Sequence, residues 1–307
     1  MSWTAADILD QSGRTAVVTG ATSGLGLATA TELARRGAHV VLTARGGGRG
    51  ERALAHLRAA VPAASAEVAE LDLTRLESVR SFAARAADRY PELDLLVNNA
   101  GVMATPLERT ADGFELQTGT NHLGHFALTG RLLPLLLAAP AARVVTVSSS
   151  GHRPGRIVLD DLNWQRRPYR RWPAYFQSKL ANLLFALELQ RRLAAAGARA
   201  ESLAAHPGLA RTELTRSYPG LVGRVQSALM RATVPLFGQS AEQGALPLLR
   251  AATDPTVPGG SYLGPGGPGE ARGLPVVVKA APAAYDEDLA GKLWNLSAEL
   301  TGVAPAV

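Results

Sequence analysis

The sequence predicts a single α/β domain: a doubly wound parallel sheet of about seven strands with helices on both faces. Three observations carry that prediction. The candidate strands are apolar along their whole length, without the alternation of a sheet wetted on one face. They are separated by helical segments, and right-handed crossovers between parallel strands place such helices on both faces of the sheet. A chain of 307 residues, 47% hydrophobic, is long enough to bury one large core, and no repeat or long linker divides it.

The elements follow in order. Residues 14–19 form a short β-branched run that stops at Gly20. Residues 24–36 have helical periodicity through Leu25, Ala28 and Leu33 and end at Gly37, a suitable C-cap. The second strand, 39–43, leads into Gly46, Gly47, Gly48 and Gly50, and a helix follows around 52–60. A third strand covers 66–71, a third helix follows Asp72-Leu73-Thr74, and a fourth strand covers 93–97. One long helix is predicted over much of 112–137, ahead of a fifth strand at 143–147. An arginine- and proline-rich insertion runs from Gly151 to Pro173, then a helix spans about 174–196. The sixth strand, 199–205, stops at His206-Pro207-Gly208. Residues 211–238 read as loop with some helix, and the glycine-rich tail from Pro258 reads as one short strand and several turns.

Composition excludes several classes of function. There is no cysteine, hence no disulfide framework, thiolate metal site, iron–sulfur cluster or cysteine nucleophile, which fits a reducing compartment. The N-terminal residues lack a basic segment followed by an apolar stretch, so no secretion signal is expected. The apolar run at 132–139 is too short to span a bilayer and contains Pro134. A soluble cytoplasmic protein is the expectation. The formal charge of +6 is almost entirely arginine, with lysine only at 179, 279 and 292. No helix-turn-helix or zinc-finger pattern accompanies the arginines, so a solvated basic surface is expected and no nucleic-acid partner.

Four motifs point to chemistry. Thr19-Gly20-Ala21-Thr22-Ser23-Gly24-Leu25-Gly26 lies between the first strand and the first helix. Glycines there let the backbone turn sharply and approach a diphosphate, whose charge meets the helix N-terminus. The spacing is neither Gly-x-Gly-x-x-Gly nor a P-loop, and a tight structural turn is the bland alternative. In Tyr175-Phe176-Gln177-Ser178-Lys179 the phenol and the ammonium share one helix face, and a neighbouring cation favours the phenolate. The alternative is a core aromatic beside a solvated lysine. Ser148-Ser149-Ser150 closes the fifth strand, at the edge where this fold places ligands. No Gly-x-Ser-x-Gly elbow marks a nucleophile among them, and a polar strand end is the alternative. Asn98-Asn99-Ala100-Gly101 closes the fourth strand, and Asn121 stands in the helical segment that follows; each alone reads as a turn or an isolated polar residue. His122 and His125 have the spacing of half a zinc site, but no third ligand stands out. No metal is expected.

Together these residues resemble the short-chain dehydrogenase/reductase family. The shared set, in order, is the Gly20–Gly26 loop, Asp72, Asn98 to Gly101, Asn121, the serine run, Tyr175 with Lys179, and Pro207-Gly208, covering about residues 13–263. Within the family the sequence is most similar to the retinol-dehydrogenase-like branch. Asn121-His122-Leu123-Gly124-His125-Phe126, Val147 to His152, the stretch from Arg156 to Tyr175, and Tyr175 to Asn182 carry that similarity. The resemblance implies one Rossmann-type domain over 1–307. It implies a catalytic set of Asn121, Ser149, Tyr175 and Lys179, with Tyr175 exchanging the proton of the substrate oxygen and Lys179 lowering its pKa and holding the nicotinamide ribose. Ser149 would hydrogen-bond the carbonyl; its neighbours Ser148 and Ser150 leave the register open by one residue. Asn121 would hold a helix kink and a water.

The same resemblance implies that Gly20, Thr22, Ser23, Gly24, Leu25 and Gly26 cover a diphosphate, and that Asp72 and Leu73 meet an adenine. Asn99, Ala100 and Gly101 would line the adenosine side. Pro207, Gly208, Leu209 and Thr212 would close over a nicotinamide. Where an NAD enzyme usually carries an acid after the second strand, this chain has Thr43-Ala44-Arg45, so a guanidinium would meet a 2′-phosphate and NADP(H) is favoured over NAD(H). The expected activity is hydride transfer between NADP(H) and the carbonyl or alcohol of a bulky lipophilic small molecule. Residues 209–240, with Leu214, Tyr218, Leu221, Val222, Val225, Leu229, Met230, Val234, Leu236 and Phe237, are expected to form an apolar lid or, equally, an ordinary packed helix. The alanine-, glycine- and arginine-rich composition hints at a GC-rich bacterial source, where relatives often tailor secondary metabolites. Members of the family often pair through two long helices, which implies a dimer or tetramer. Two other readings stay open: reduction or oxidation at a C=N, hemiaminal or C=C centre, and an NADP-binding sensor without turnover.

Overall fold

The structure is a computed structural model that describes residues 2–210 and 238–307. Its frame is one sheet of eight strands: β1 (Thr15–Val18), β2 (His39–Ala44), β3 (Ala66–Glu70), β4 (Leu95–Asn98), β5 (Arg143–Val147), β6 (Glu201–Ala205), β7 (Tyr262–Pro265) and β8 (Pro275–Val277). Their spatial order is β3-β2-β1-β4-β5-β6-β7-β8. The first seven are parallel, and β8 runs antiparallel to β7 at the edge. The eighth strand corrects the expected seven. Three residues behind a run of glycines carry too little pattern to be read as a strand before their partner is known.

Side-chain alternation along these strands feeds two cores. Val17, Val41, Leu96 and Val144 point to one face, where they meet Val79 and Phe82 of α3 (Leu76–Arg89), Phe126, Leu132 and Leu136 of α5 (Gly124–Ala138), and Phe185 and Leu189 of α6 (Arg171–Ala195). Ala16, Val18, Val40, Leu95, Val97 and Val145 point to the other. There they meet α1 (Gly24–Arg35) through Leu33, α2 (Arg49–Ala60) through Leu57, and α7 (Ala241–Thr253) through Leu248 and Leu249. Both strand faces are therefore dry. Each fully buried leucine contributes about 2 kcal/mol over its exposed state, so burial from both sides outweighs any single sheet hydrogen bond of about 1 kcal/mol.

Three further differences from the sequence reading have physical causes. The segment expected as one helix over 112–137 is broken: one α turn, α4 (Leu116–Thr118), a π-helical turn over Gly119–Leu123, then α5. The break follows from tertiary bonds: the Asn121 carboxamide is held by the Val102 backbone, and a Cβ on Gly124 would meet the Leu73 carbonyl oxygen at 2.5 Å. Residues 241–253 form α7 despite Pro247, with Ser240 and Gln243 closing a capping box. Finally, the tail holds a C-terminal helix, α8 (Glu287–Thr301), where turns were expected; Asp286 caps it, and its Trp294 stacks on Phe185 at 5.9 Å.

The chain leaves β1 outward to β2 and β3, returns to β4, and continues the other way to β8. The strand order reverses between β1 and β4, and a crevice opens beyond their C-terminal ends.

Candidate active site

A cleft of about 550 Å³ occupies that crevice. Its walls come from the β1–α1 turn, the ends of β2, β4, β5 and β6, and one face of α6. Glycine makes the β1–α1 turn possible. Gly20 has φ +64°, and a Cβ there would lie 2.8 Å from the Ala100 Cα. A Cβ on Gly26 would lie 2.4 Å from the Gly20 carbonyl oxygen and 2.5 Å from Asn99 Nδ2, which donates to the Thr19 carbonyl at 2.7 Å. Ser23 at the N-cap of α1 makes no side-chain capping bond, so the first amides of α1 face the cleft uncapped. Gly26→Ala is expected to push the turn off Asn99 and weaken dinucleotide binding by at least about 100-fold, read by titration of nucleotide fluorescence; unchanged affinity would show that the turn does not touch the ligand.

Thr19 ties this turn to the end of β4. Its hydroxyl accepts from the amides of Asn99 (2.8 Å) and Ala100 (2.9 Å) and lies 2.9 Å from His125 Nε2. The His125 Nδ1–H donates to the Asn121 carbonyl at 3.0 Å, so Nε2 is the acceptor and Thr19 donates to it. Burial pushes His125 down to about 4 and His122, which meets Ser297 Oγ at 2.8 Å, down to about 3. Among the described residues no group of three or more acidic or histidine side chains could hold a metal.

The end of β5 and one face of α6 meet at the centre of the cleft. Lys179 is buried on α6, its Nζ donating to the Val147 carbonyl at 3.1 Å and lying 5.9 Å from the Tyr175 ring centre. Burial lowers its ammonium to about 8. Tyr175 is 6% exposed and lines the cleft one turn earlier. The three serines differ. Ser148 is buried and its hydroxyl donates to the Lys179 carbonyl at 2.8 Å; Ser150 is exposed. Ser149 lines the cleft half-buried, and its hydroxyl accepts from the Gly151 amide at 3.1 Å, which leaves its proton for another acceptor.

Every expected site residue among the described ones lines the cleft except Asn121. Asn121 lies behind the wall, accepting from the Val102 amide at 2.8 Å and donating to the Val102 carbonyl and to Ser178 Oγ, both at 2.9 Å. Asp72 is turned inward on its own loop, accepting from the amide and hydroxyl of Thr74. Thr212 and the apolar side chains expected over 211–237 lie outside the described residues. Sequence reasoning missed Arg49, Val102 and Met103, all lining the cleft. Arg49 had a visible signal: it follows Gly46, Gly47 and Gly48, whose φ values of +80°, +75° and +70° fold the chain back toward Arg45.

Comparison with known proteins places this geometry. Residues 14–219 match the family model described as short chain dehydrogenase. The chain is 42% identical over 299 residues to human retinol dehydrogenase 13, covering 96% of this chain and 87% of that protein. The chain is a short-chain dehydrogenase/reductase. It is also 42% identical over 298 residues to mouse polyprenol dehydrogenase, covering 95% of this chain and 85% of that one. Among solved structures, an uncharacterized protein from Mycobacterium paratuberculosis superposes with a TM-score of 0.82 at 46% identity over all of both chains. A short chain dehydrogenase from Shigella flexneri, solved with NADP, superposes with a TM-score of 0.64 at 26% identity, covering 83% of this chain and 97% of that one. As a short-chain dehydrogenase/reductase of the retinol-dehydrogenase-like branch, this protein uses a nicotinamide cofactor on CH–OH or C=O groups. None of the helices among its described residues is long and apolar enough to cross a membrane.

Proposed function

We propose that the protein is an NADP(H)-dependent oxidoreductase that interconverts a lipophilic carbonyl compound and its alcohol. The observation that carries this reading is the meeting of Tyr175, Lys179 and Ser149 in the cleft whose far end is walled by the glycine turn and the uncapped α1 N-terminus. The residues present fit a dinucleotide phosphate. The turn admits close backbone approach, the α1 amides suit a diphosphate, and Arg45 and Arg49 both face the cleft end where the second strand stops. No carboxylate stands at that strand end to repel a 2′-phosphate. The NADP-bound relative supports the same choice.

When bound, the cofactor supplies or accepts the hydride. The protein's own groups manage the oxygen. Tyr175 Oη and Ser149 Oγ would both donate to a carbonyl oxygen, polarising it as negative charge develops, and Tyr175 would pass its proton to that oxygen. The Lys179 charge favours the phenolate left behind, and the ammonium is held in place by its bond to the Val147 carbonyl. Asn121 would act as a positioning residue, through Val102 on one side and Ser178 on the helix of Tyr175 on the other.

Val102, Met103, Leu209 and Ala210 give the reacting end an apolar wall, and Trp172 and Phe176 lie 6.1 and 6.2 Å from the Tyr175 ring. The similar proteins named for retinol and polyprenol, both apolar alcohols, favour an isoprenoid-like or aromatic natural product over a sugar or a charged acid. Incubation with NADPH and a panel of retinal, long-chain aldehydes and aromatic ketones should consume the cofactor; silence on every carbonyl, with the alcohols equally unreactive, would overturn the reading. Replacing both Arg45 and Arg49 by Ala should raise the Kd for NADPH about 100-fold and leave that for NADH within about threefold, as expected for two charge-assisted contacts to one phosphate. Equal losses for both nucleotides would show that the arginines do not read the 2′ position.

A further inference from the structure

Two loops frame the reacting end of the cleft, and one carboxylate outside the cleft joins them. The first loop follows β5 and carries Ser149, Ser150, Gly151, His152 and Arg153; the second follows β6 and runs His206-Pro207-Gly208-Leu209. Glu270 lies on neither. It sits in the β7–β8 connection, at the end of a single 3-10 turn, Pro268–Glu270. Its Oε1 accepts from Arg153 Nη2 at 2.8 Å, and its buried Oε2 lies 3.0 Å from His206 Nε2.

Each end of this bridge passes its orientation to a residue of the cleft. His206 is fully buried, and its Nδ1 accepts from the Gly208 amide at 3.3 Å. The ring proton therefore stands on Nε2, 3.0 Å from the carboxylate oxygen in a close contact that is off the line of a hydrogen bond, and the other ring nitrogen holds the Gly208 amide. The adjoining Ala271 carbonyl accepts from the Leu209 amide at 2.9 Å, and a Cβ on Gly208 would meet that same oxygen at 2.5 Å. On the other side, Arg153 caps the turn Ser150–His152. His152 donates from Nδ1 to the Ser149 carbonyl at 2.6 Å, while its Nε2 accepts from the Ala281 amide at 3.0 Å. Tyr262 packs its ring between the two histidines, 5.5 Å from His152 and 5.2 Å from His206, so the two loops share an aromatic floor as well as a charged tie.

The backbone of Glu270 is in an uncommon conformation. Among the described residues only Ala104, Trp164 and Glu270 are non-glycine residues with positive φ, and Glu270 stands at +55° directly after Gly269 at +60°. A long flexible side chain has no intrinsic reason to adopt this conformation. Observed strain of this kind points to a role that the local backbone alone does not explain.

We propose that Glu270 is a positioning residue of the reaction. By bridging Arg153 and His206 it fixes the separation between the Ser149 loop and the Pro207–Leu209 loop, and so aligns the donors to the substrate oxygen with the face from which hydride travels. This rests on the carbonyl–alcohol reading of the cleft. The glycine turn and Arg45, which would hold the adenosine half of the cofactor, line the other end of the cleft, so cofactor affinity should be nearly independent of Glu270.

The test uses the full chain as wild type, Glu270→Ala and Glu270→Gln, with two readouts. In turnover of a carbonyl substrate, Glu270→Ala should lose about tenfold or more in kcat while the Kd for NADPH moves less than about threefold. NADPH deuterated at the transferred position should then show a larger isotope effect, because hydride transfer has become slow. Glu270→Gln, which keeps the span and an oxygen acceptor, should recover at least half of the lost rate on a logarithmic scale. In hydrogen exchange, the amides of Gly208 and Leu209 and those of Gly151 to Arg153 should lose protection together in Glu270→Ala and keep it in Glu270→Gln. Wild-type kcat in Glu270→Ala would overturn the proposal, as would a loss in which kcat and NADPH affinity fall by equal factors. A wild type that turns over no carbonyl or alcohol would overturn the functional reading, and unchanged exchange in Glu270→Ala would overturn the bridging role whatever the turnover.

Discussion

Tyr175→Phe should lower kcat about 1,000-fold and leave NADPH binding within about threefold, because general acid–base transfer contributes roughly 10² to 10⁴ to such a step and the ring itself stays in place. The substitution removes one oxygen. The phenol ring packs against Trp172 at 6.1 Å and Phe176 at 6.2 Å, so an apolar ring of the same shape keeps α6 and the cleft wall intact. Lys179 keeps its bond to the Val147 carbonyl, and Ser149 keeps its place after β5. With the proton donor gone, hydride transfer would leave an alkoxide facing only Ser149. Cofactor oxidation in the presence of a carbonyl substrate, with nucleotide fluorescence as the binding control, measures both quantities. Retention of more than about a tenth of wild-type turnover would mean that the proton reaches the oxygen by another route, and the central assignment would fail.

Acid should destabilise the fold well before the carboxylates titrate. His122, His125 and His206 are all buried, and burial holds them neutral, at about 3, 4 and 4 against an ordinary value of 6.5. In the unfolded chain these rings take up protons as pH falls through 6.5; in the folded chain they resist until about pH 4. Between those limits the unfolded state binds more protons, so stability falls as pH falls, by up to about 1.4 kcal/mol per pH unit for each ring. At pH 5 His122 and His125 each cost about 2 kcal/mol, His206 adds to this in the same direction, and together they remove a large share of the 5–15 kcal/mol typical of a domain. Asp161 and Asp254, lowered below 3.8, respond only at more acidic pH. Urea midpoints should therefore drop steeply from pH 6.5 to 4.5. His122→Gln, which carries no titrating group and can still reach Ser297 Oγ, should shed about a third of that slope. A midpoint constant from pH 7 to 5 would refute the linkage.

These histidines show what a linear reading misses. By sequence, His122 and His125 have only the spacing of half a metal site. In the fold His125 instead carries a hydrogen-bond chain from the Asn121 carbonyl through Thr19 to the amides of Asn99 and Ala100. Asn121 itself does not line the cleft; it holds the wall through Val102. For Arg49 the signal, three glycines in a row, is visible in the sequence, but the direction it gives the side chain is not. Its proximity to Arg45 depends on three consecutive left-handed glycines, and no periodicity signals where such a turn will point.

The order of dry strands and amphipathic helices determined the doubly wound sheet, because strands buried on both faces and joined by helices have few other packings. The glycine turn, Tyr175 and Lys179 were equally legible, since a close backbone approach admits only glycine and a helix places i and i+4 on one face. What only tertiary structure decided are the features made by partners distant in the chain. The antiparallel eighth strand exists through β7. The π turn exists through Val102 and Leu73. The assignment of three adjacent serines depends on Ser148 being spent on the Lys179 carbonyl. Glu270 acquires its place beside the reacting end only because the β7–β8 connection folds onto two loops that lie 117 and 64 residues earlier. Local sequence sets what a backbone can do, whereas a buried polar group is defined by whichever distant atom satisfies it.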